Sequence, residues 1–414
     1  MIAADQDGDG PLTLADLLSP GQAADPYPTY ARWRSGRPVW PVDDRLCVVT
    51  SHAACDAALR DVRLGHAEAN AARRIVSRAG GGEPVGDAPE PQRRSFLMMN
   101  PPDHTRLRRL VSRAFTPATV RRLAPRIAEI TMSWLAMVDA TDGPVDMITT
   151  LAAPLPVAVI SELLGIPPGD RDLLVSWSDA LARGLDPAFL LPADEITRQL
   201  HAREEFAGYL ADLLRQRRKR PGTDLLSGLV EVHDSGDQLT EAELISTCVL
   251  LLVAGHETTT GLIGMGALAL ARRPEEFAKL RNQPDLSGQA VEEFLRYDSP
   301  VQLTGRYALH DTALAGTPIP AGSAVLLLLG AANRDPSLCP EPDQLRVDRE
   351  PTRHLAFGHG IHFCLGAPLA RLEAQIVFRA LAEHFTDIAL AGTPEWKAAT
   401  VLRGLRHLPL AMRR

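Results

Sequence analysis

The stretch Phe357–Arg371 reads FGHGIHFCLGAPLAR. It sets Gly358 and Gly360 before Cys364 and Gly366 just after it. An apolar, helix-forming run follows, so the Cys364 sulfur falls at the N-terminal end of a predicted helix. Orphan amides and the helix dipole favour negative charge there. That position lowers a thiol's pKa and suits the thiolate to ligate a metal. The glycines permit φ > 0 and let backbone come close to a flat cofactor. Phe357 is placed to cover the sulfur and keep water from it. Two readings are open for a cysteine so placed: a buried structural thiol in a tight turn, the commoner case for a lone cysteine, and a metal-ligating thiolate.

The complete string F-x-x-G-x-x-x-C-x-G resembles the heme-binding loop of the cytochrome P450 superfamily, the heme-thiolate monooxygenases. The resemblance runs from about Asp25 to Leu410 and implies heme b, with Cys364 as the axial metal ligand and Phe357, Gly358 and Gly366 around it. It also implies the fold: mainly α with small β-sheets (α+β), built on a long central buried helix and a cysteine-ligand loop. One domain is expected over residues 1–414, with 1–24 a poorly ordered N-terminal segment.

The bulk numbers agree with a large globular chain. Of 414 residues, 45% are hydrophobic and 23% charged, and the net charge is −7. That balance gives no case for nucleic-acid binding. Five scattered cysteines form no paired framework and no C-x-x-C, so a reducing compartment, the cytoplasm, is expected. The start, MIAADQDGDG, lacks the basic end and apolar stretch of a signal peptide. There is no run of about 18 or more apolar residues, so no membrane span is expected. Lysine occurs only at Lys219, Lys279 and Lys397, a bias read as GC-rich coding.

Most of the chain reads as helix. Asp25–Arg34 suggests a turn and a short helix. Pro38–Val42 and Arg45–Thr50, flanking Asp43–Asp44, suggest a hairpin. Ala79–Gln92 is Gly/Pro-rich and reads as a loop. Val157–Leu164 is helical and stops at Gly165, with prolines beyond. Ala202–Arg215 is an amphipathic helix, and the basic run Arg217–Arg220 after it reads as a solvated loop. The strongest helix spans about Glu241 to Arg272. Thr240 and Glu243 form a capping box at its start, and Pro274 marks its stop. Its first half is apolar on nearly every side, which predicts burial. The polar cluster Gly255–Thr260 (GHETTT) then interrupts it, and buried polar groups need partners.

The Thr258 hydroxyl can bond back to the Ala254 carbonyl and bend the axis. Gly255 removes bulk beside it, so a notch for a diatomic ligand is one reading. Glu257 is a titratable acid next to a hydroxyl, suited to relaying protons. A satisfied core threonine, with Glu257 facing solvent, is the other. AGHETT (Ala254–Thr259) resembles the family's acid–alcohol motif. The resemblance implies that Thr258 and Glu257 deliver protons during oxygen activation, with His256 hydrogen-bonded away from the heme. Likewise AVEEFLRY (Ala290–Tyr297) resembles the family's E-x-x-R helix, making Glu293 and Arg296 a structural pair. Alignment sets Gln344 where that pair's usual third partner, an arginine, is expected, so Arg346 or Arg349 is left to compensate.

Heme propionates need charge-assisted partners, for which arginine's fork is suited. PPDHTRLRR (Pro101–Arg109) resembles the family's H-x-x-x-R helix and offers His104 and Arg108. Arg306 matches a family arginine, and His362 precedes Cys364 by two. By similarity the substrate pocket includes Leu250, Val253, Ala254, the segment Val301–Thr304 with Val301 and Leu303, and Val401–Leu402. Its selective walls are expected over Leu64–Phe96 and Ser176–Leu191, which are poor in aromatics and suggest a roomy site.

No flavin or iron–sulfur motif is present, so electrons must come from outside the chain. A ferredoxin or flavodoxin with an NAD(P)H-dependent reductase is expected to dock near Arg106, Arg109, Arg113, Arg353 and Arg371 of a monomer, aided by steering. The expected reaction is O₂-dependent hydroxylation or epoxidation of a hydrophobic, bulky natural product such as a macrolide, polyketide, terpenoid or peptide. Two alternatives remain: a peroxide-driven heme enzyme, against which Glu257 and Thr258 argue, and a non-catalytic heme sensor or carrier.

Overall fold

The computed structural model describes residues 13–66, 95–112, 115–186, 191–222, 224–234 and 240–414. The chain begins with α1 (Leu14–Leu18), α2 (Tyr27–Gly36), strands β1 (Val39–Asp43) and β2 (Leu46–Val49), α3 (His52–Arg60) and β3 (Leu64–Gly65). Next come α4 (Asp103–Ser112), α5 (Pro117–Asp139), β4 (Val145–Asp146), α6 (Pro154–Leu164), α7 (Arg171–Arg183), α8 (Ala193–Lys219), α9 (Leu225–Asp234) and the central α10 (Glu241–Ala271). Helices α11 (Pro274–Asn282) and α12 (Ser287–Tyr297) lead into β5 (Thr304–Ala308), β6 (Thr312–Leu314), β7 (Thr317–Ile319), β8 (Ala324–Leu327) and α13 (Leu329–Asn333). After a long irregular segment come α14 (Ala367–His384), β9 (Asp387–Leu390), β10 (Glu395–Trp396), β11 (Leu405–His407) and β12 (Pro409–Arg413). This is the mainly helical fold with small sheets that was expected.

The capping box fixes where α10 starts. The Thr240 hydroxyl accepts from the Glu243 amide, and the Glu243 carboxylate accepts from the Thr240 amide at 2.8 Å. From Leu244 to Leu270 nearly every side chain is buried. By length and composition this helix could cross a membrane, but 78% of its apolar window is buried inside the fold. Its apolar surface is therefore core. At Gly266 a Cβ would lie 2.5 Å from Phe378 of α14, so the missing side chain lets the two helices close on one another.

The largest sheet runs β1-β2-β8-β5-β3, with β2 and β8 parallel and the other pairs antiparallel. The β1–β2 hairpin is the one expected. Strand β5 brings Arg306 to this sheet and β3 brings the chain to His66. Helix α6 ends at Gly165, whose φ of 73° closes the turn.

Three expectations are corrected. Residues 14–23 form α1 and a 3₁₀ turn, with Leu14, Leu17 and Leu18 buried beside Tyr27, Trp33 and Trp40. The poorly ordered segment therefore does not extend to residue 24, and residues 1–12 lie outside the described ones. Helix α8 starts nine residues before Ala202 and carries the basic run to Lys219. Arg217 pairs with Asp224 and Arg218 with Glu241, so the run is paired helix and not a solvated loop. Arg113, the loop Ala79–Gln92, most of the wall Leu64–Phe96 and residues 187–190 lie outside the described residues.

Candidate active site

Cys364 is held where the sequence puts it, one turn ahead of α14. Its amide donates to the Phe357 carbonyl at 3.0 Å, which closes the loop. Gly358 and Gly360 have φ of 67° and 70°, as expected. A Cβ on Gly360 would also lie 2.4 Å from the Leu59 carbonyl oxygen. Gly366 differs: its φ is −81°, and a Cβ there would sit 3.9 Å from the Cys364 sulfur. Small size near the sulfur, not left-handed backbone, is its contribution. The thiol's pKa is also a correction. Burial pushes it up, and the amides of Gly366 and Ala367 with Arg108 and Arg371 offset only part of that. A buried sulfur of this kind becomes a thiolate against a bound cation.

The loop is braced from α12. Arg371 lies 4.6 Å from the centre of the Phe357 ring and grips Glu292 through two bonds of 2.6 and 2.8 Å. Burial raises the Glu292 pKa, but Arg371 and His354 outweigh it and hold the carboxyl at about 2. The neighbouring pair is buried, not superficial. Arg296 binds both oxygens of Glu293 at 2.7 and 2.8 Å, and Arg349 binds Oε1 at 3.0 Å. Arg349 is thus the third partner. The Gln344 side chain bonds Glu341, while its carbonyl accepts from both arginines. The Arg346 amide also donates to Glu293.

On the other flank, His104, His362 and His66 form one cluster of ring contacts. His362 is 4.2 Å from His104 and 4.7 Å from His66 between ring centres. Both nitrogens of His104, Nδ1 of His362 and Nε2 of His66 are buried without a hydrogen-bond partner among the described residues. Arg306 is buried beside them, its pKa lowered by burial to about 10, and its guanidinium bonds only its neighbour's carbonyl. Arg108 donates to the Phe363 carbonyl, next to the cysteine. Among the described residues no carboxylate pairs with any of these groups. Burial and the surrounding positive charge hold His66 down at about 3 and His362 at about 2. Orphan donors and unpaired guanidiniums of this kind fit a ligand carrying carboxylates. The two propionates of the expected heme have that chemistry. His66 was missed in the sequence, since it belongs to no motif; its one signal is a histidine just past a short strand.

Helix α10 carries the second motif. The Thr258 hydroxyl donates to the Ala254 carbonyl at 2.6 Å, as expected. Leu250, Ala254 and Thr258, spaced by four, form an accessible stripe on an otherwise buried helix. Gly255 is turned elsewhere: a Cβ there would meet Ile160 of α6 at 3.4 Å, so it serves helix packing. His256 bonds Ser178 of α7 at 2.9 Å and is directed away from the stripe. Glu257 does not face solvent. It is buried, with Oε2 bound by Lys397 at 2.7 Å; Oε1 has no hydrogen-bond partner among the described residues and lies 3.6 Å from His256 Nδ1. Behind Lys397, Asp179 lies 3.5 Å from the ammonium and pairs with Arg198 near the surface.

The proposed pocket residues divide. Val301 and Leu402 are joined by a β-bridge, and Val401 is half-buried beside them. Val253 is buried in the main core. Leu303 packs among the N-terminal aromatics Trp33 and Trp40, and Gln302 bonds the Ser299 carbonyl. Those two are structural.

The family model "Cytochrome P450" matches residues 71–398. Cytochrome P450 monooxygenase PikC of Streptomyces venezuelae is 43% identical over 97% of this chain and 95% of its own. The 6-deoxyerythronolide B hydroxylase of Saccharopolyspora erythraea is 37% identical over 97% and 99%. Among solved structures, CYP164A2 of Mycobacterium smegmatis with econazole bound has a TM-score of 0.86 at 44% identity, covering 96% of this chain and 99% of that one.

Proposed function

The chain belongs to the cytochrome P450 family, and from that premise we propose that it binds heme b through Cys364 and hydroxylates or epoxidises a bulky, hydrophobic natural product. It is a monooxygenase that uses a small-molecule substrate and redox partners. In this reading His104, Arg108, Arg306 and His362 hold the two propionates, and Phe357, Gly358 and Gly366 shape the wall around the sulfur. When bound, the heme supplies reductive activation of O₂, with one oxygen atom passing to substrate and the other leaving as water.

The protein's part is to bring protons and exclude bulk water. Thr258 commits its hydroxyl hydrogen to Ala254, which leaves its oxygen free to accept a hydrogen bond. Glu257 is the nearest acid in sequence and has one oxygen without a hydrogen-bond partner among the described residues. Lys397 fixes the other oxygen, and Asp179 and Arg198 continue the line of charged groups toward solvent. A lysine suits this place, because its ammonium can give up and regain a proton where a guanidinium does not. It is one of only three lysines in the chain.

The relative named as a 6-deoxyerythronolide B hydroxylase supports a bulky product-like substrate for this chain. Leu250, Ala254, Val301, Val401 and Leu402 are the described residues that suit its apolar wall. An acidic ferredoxin or flavodoxin, reduced by an NAD(P)H-dependent reductase, would meet the exposed Arg109 and Arg353 of a cytoplasmic monomer. Arg106 and Arg371 are already paired, with Glu243 and Glu292.

The observation that carries this reading is the pairing of a half-buried thiol at a helix start with imidazoles that lack hydrogen-bond partners and arginines that pair with no carboxylate among the described residues. The reduced protein with carbon monoxide should show a strongly red-shifted Soret band, absent in Cys364→Ser; its absence from intact protein overturns the reading. Thr258→Ala should keep that band yet release peroxide in place of product while still consuming NAD(P)H, lowering coupling about tenfold or more. Unchanged coupling would make Thr258 a packing residue. Turnover with peroxide alone at the reductase-driven rate would replace the O₂ mechanism by a peroxide-driven one.

A further inference from the structure

We infer that His66 is an additional donor to the heme carboxylates, completing with Arg306, His104 and His362 a pocket that closes on the propionates from the sheet side. This rests on the heme reading above. The placement starts with strand register. β3 pairs with β5 so that Leu64 faces Ala308 and Gly65 faces Tyr307. Continuing by one residue sets His66 across from Arg306. Directly opposed residues of an antiparallel pair project from the same face, close to one another.

The backbone at His66 is then clamped. The Asn100 side chain accepts from the His66 amide at 2.8 Å and donates to the His66 carbonyl at 2.8 Å. Gly65 makes room for that clamp, because a Cβ there would lie 2.4 Å from the Asn100 oxygen. Such a two-point grip leaves the ring few orientations. It stands edge-on to His362, with an interplanar angle of 87°. Its Nε2 is buried and has no partner among the described residues, beside the orphan nitrogens of His104 and His362.

A histidine that merely filled core would leave its outer nitrogen at water or on a carbonyl. A cation site is also a poor fit. No group of three or more His, Cys, Asp or Glu among the described residues could hold a metal. The neighbours are two guanidiniums, Arg306 and Arg108, which favour an anion. In its Nε2–H tautomer a neutral imidazole donates from that nitrogen, and a carboxylate oxygen would satisfy it.

The test measures how fast the purified holoprotein loses heme to excess apomyoglobin. His66→Phe keeps a ring against His362 and removes the N–H; heme loss should rise about tenfold, the scale of one hydrogen bond to a charged group. His66→Gln restores a donor without the ring and should stay within about threefold of wild type. His104→Phe is the reference for the pocket as a whole. Acceleration in His104→Phe with a wild-type rate in His66→Phe overturns the role of His66 and leaves the heme reading standing. Wild-type rates in both variants overturn the carboxylate pocket itself. A fast Gln variant beside a slow Phe variant makes His66 a packing residue and also overturns the inference. Should His66→Phe be recovered without heme, retention by His66→Gln supports the donor role and loss from it counts against that role.

Discussion

Two buried polar clusters flank the cysteine loop, and they are finished in different ways. In the Glu293–Arg296–Arg349 cluster the guanidinium nitrogens are all taken. Arg296 binds Glu293 twice and adds the carbonyls of Asn333, Pro342 and Gln344. Arg349 adds those of Pro340, Glu341 and Gln344. In the His66–His104–His362 cluster four ring nitrogens are buried with no hydrogen-bond partner among the described residues. The protein completes the first cluster by itself, while in the proposed reading the second is completed by the heme carboxylates. Satisfied buried networks rigidify a fold, and unsatisfied ones mark where something binds. The first cluster therefore belongs to folding, and the proposal assigns the second to ligand retention.

The most direct way to break that contrast is to remove one member of the finished network. Arg296→Met leaves Glu293 buried with its charge only partly matched by Arg349. Breaking a buried pair from one side costs about 3–5 kcal/mol. Urea unfolding of the holoprotein should show a loss on that scale, or no folded protein should be recovered. A loss under about 1 kcal/mol, the value of an exposed pair, would put this network on the same footing as the surface.

A second, smaller effect separates the clusters by pH. Glu292 bridges Arg371 and His354, and its carboxyl is held at about 2. The unfolded value is about 4.3. A depressed pKa contributes stability above the unfolded value and loses it as pH falls toward the folded one. The brace on the cysteine loop should therefore weaken between about pH 4.3 and 2, by roughly 1–3 kcal/mol. Glu292→Gln should be less stable at neutral pH and show a flatter acid limb in thermal unfolding. An acid limb identical to wild type would remove Glu292 from the brace.

What could be read from the sequence was local. The capping box at Thr240, the stop at Gly165 and the Thr258-to-Ala254 bond each join residues within five positions, so composition and helical spacing reveal them. The cysteine loop was legible for the same reason, with Gly366 alone misread, because a glycine's small size and its positive φ leave the same letter. Contacts between distant segments were not legible. Arg349 reaches Glu293 along an irregular loop that has no period to align. Lys397 meets Glu257 across 140 positions, and the lysine's rarity looked like codon bias. His66 owes its place to a two-residue strand, too short to carry alternation. The basic end of α8 was misread because Arg217 and Arg218 find acids on later elements, Asp224 and Glu241.

Glu257 stands between the two kinds of cluster and sharpens the difference. One of its oxygens is satisfied by Lys397, as in a finished network, and the other has no hydrogen bond among the described residues, with His256 Nδ1 3.6 Å away. A group that only braced the fold would have both oxygens engaged, while an acid that works must keep one available. Lys397→Met would leave the carboxylate unanchored and remove the charged link to Asp179. The buried Glu257 carboxylate loses its cation, so stability should fall as well, by less than at Arg296 because Lys397 is partly accessible to solvent. Proton supply should suffer, and the fraction of NAD(P)H recovered as product should fall roughly threefold, which corresponds to about 0.7 kcal/mol in the partition between product and peroxide. Lys397→Arg restores the charge but not an exchangeable ammonium, so it should recover stability without recovering coupling. Full coupling in both variants would mean that Glu257 is anchored for structure alone, and that only the histidine pocket is left open for function.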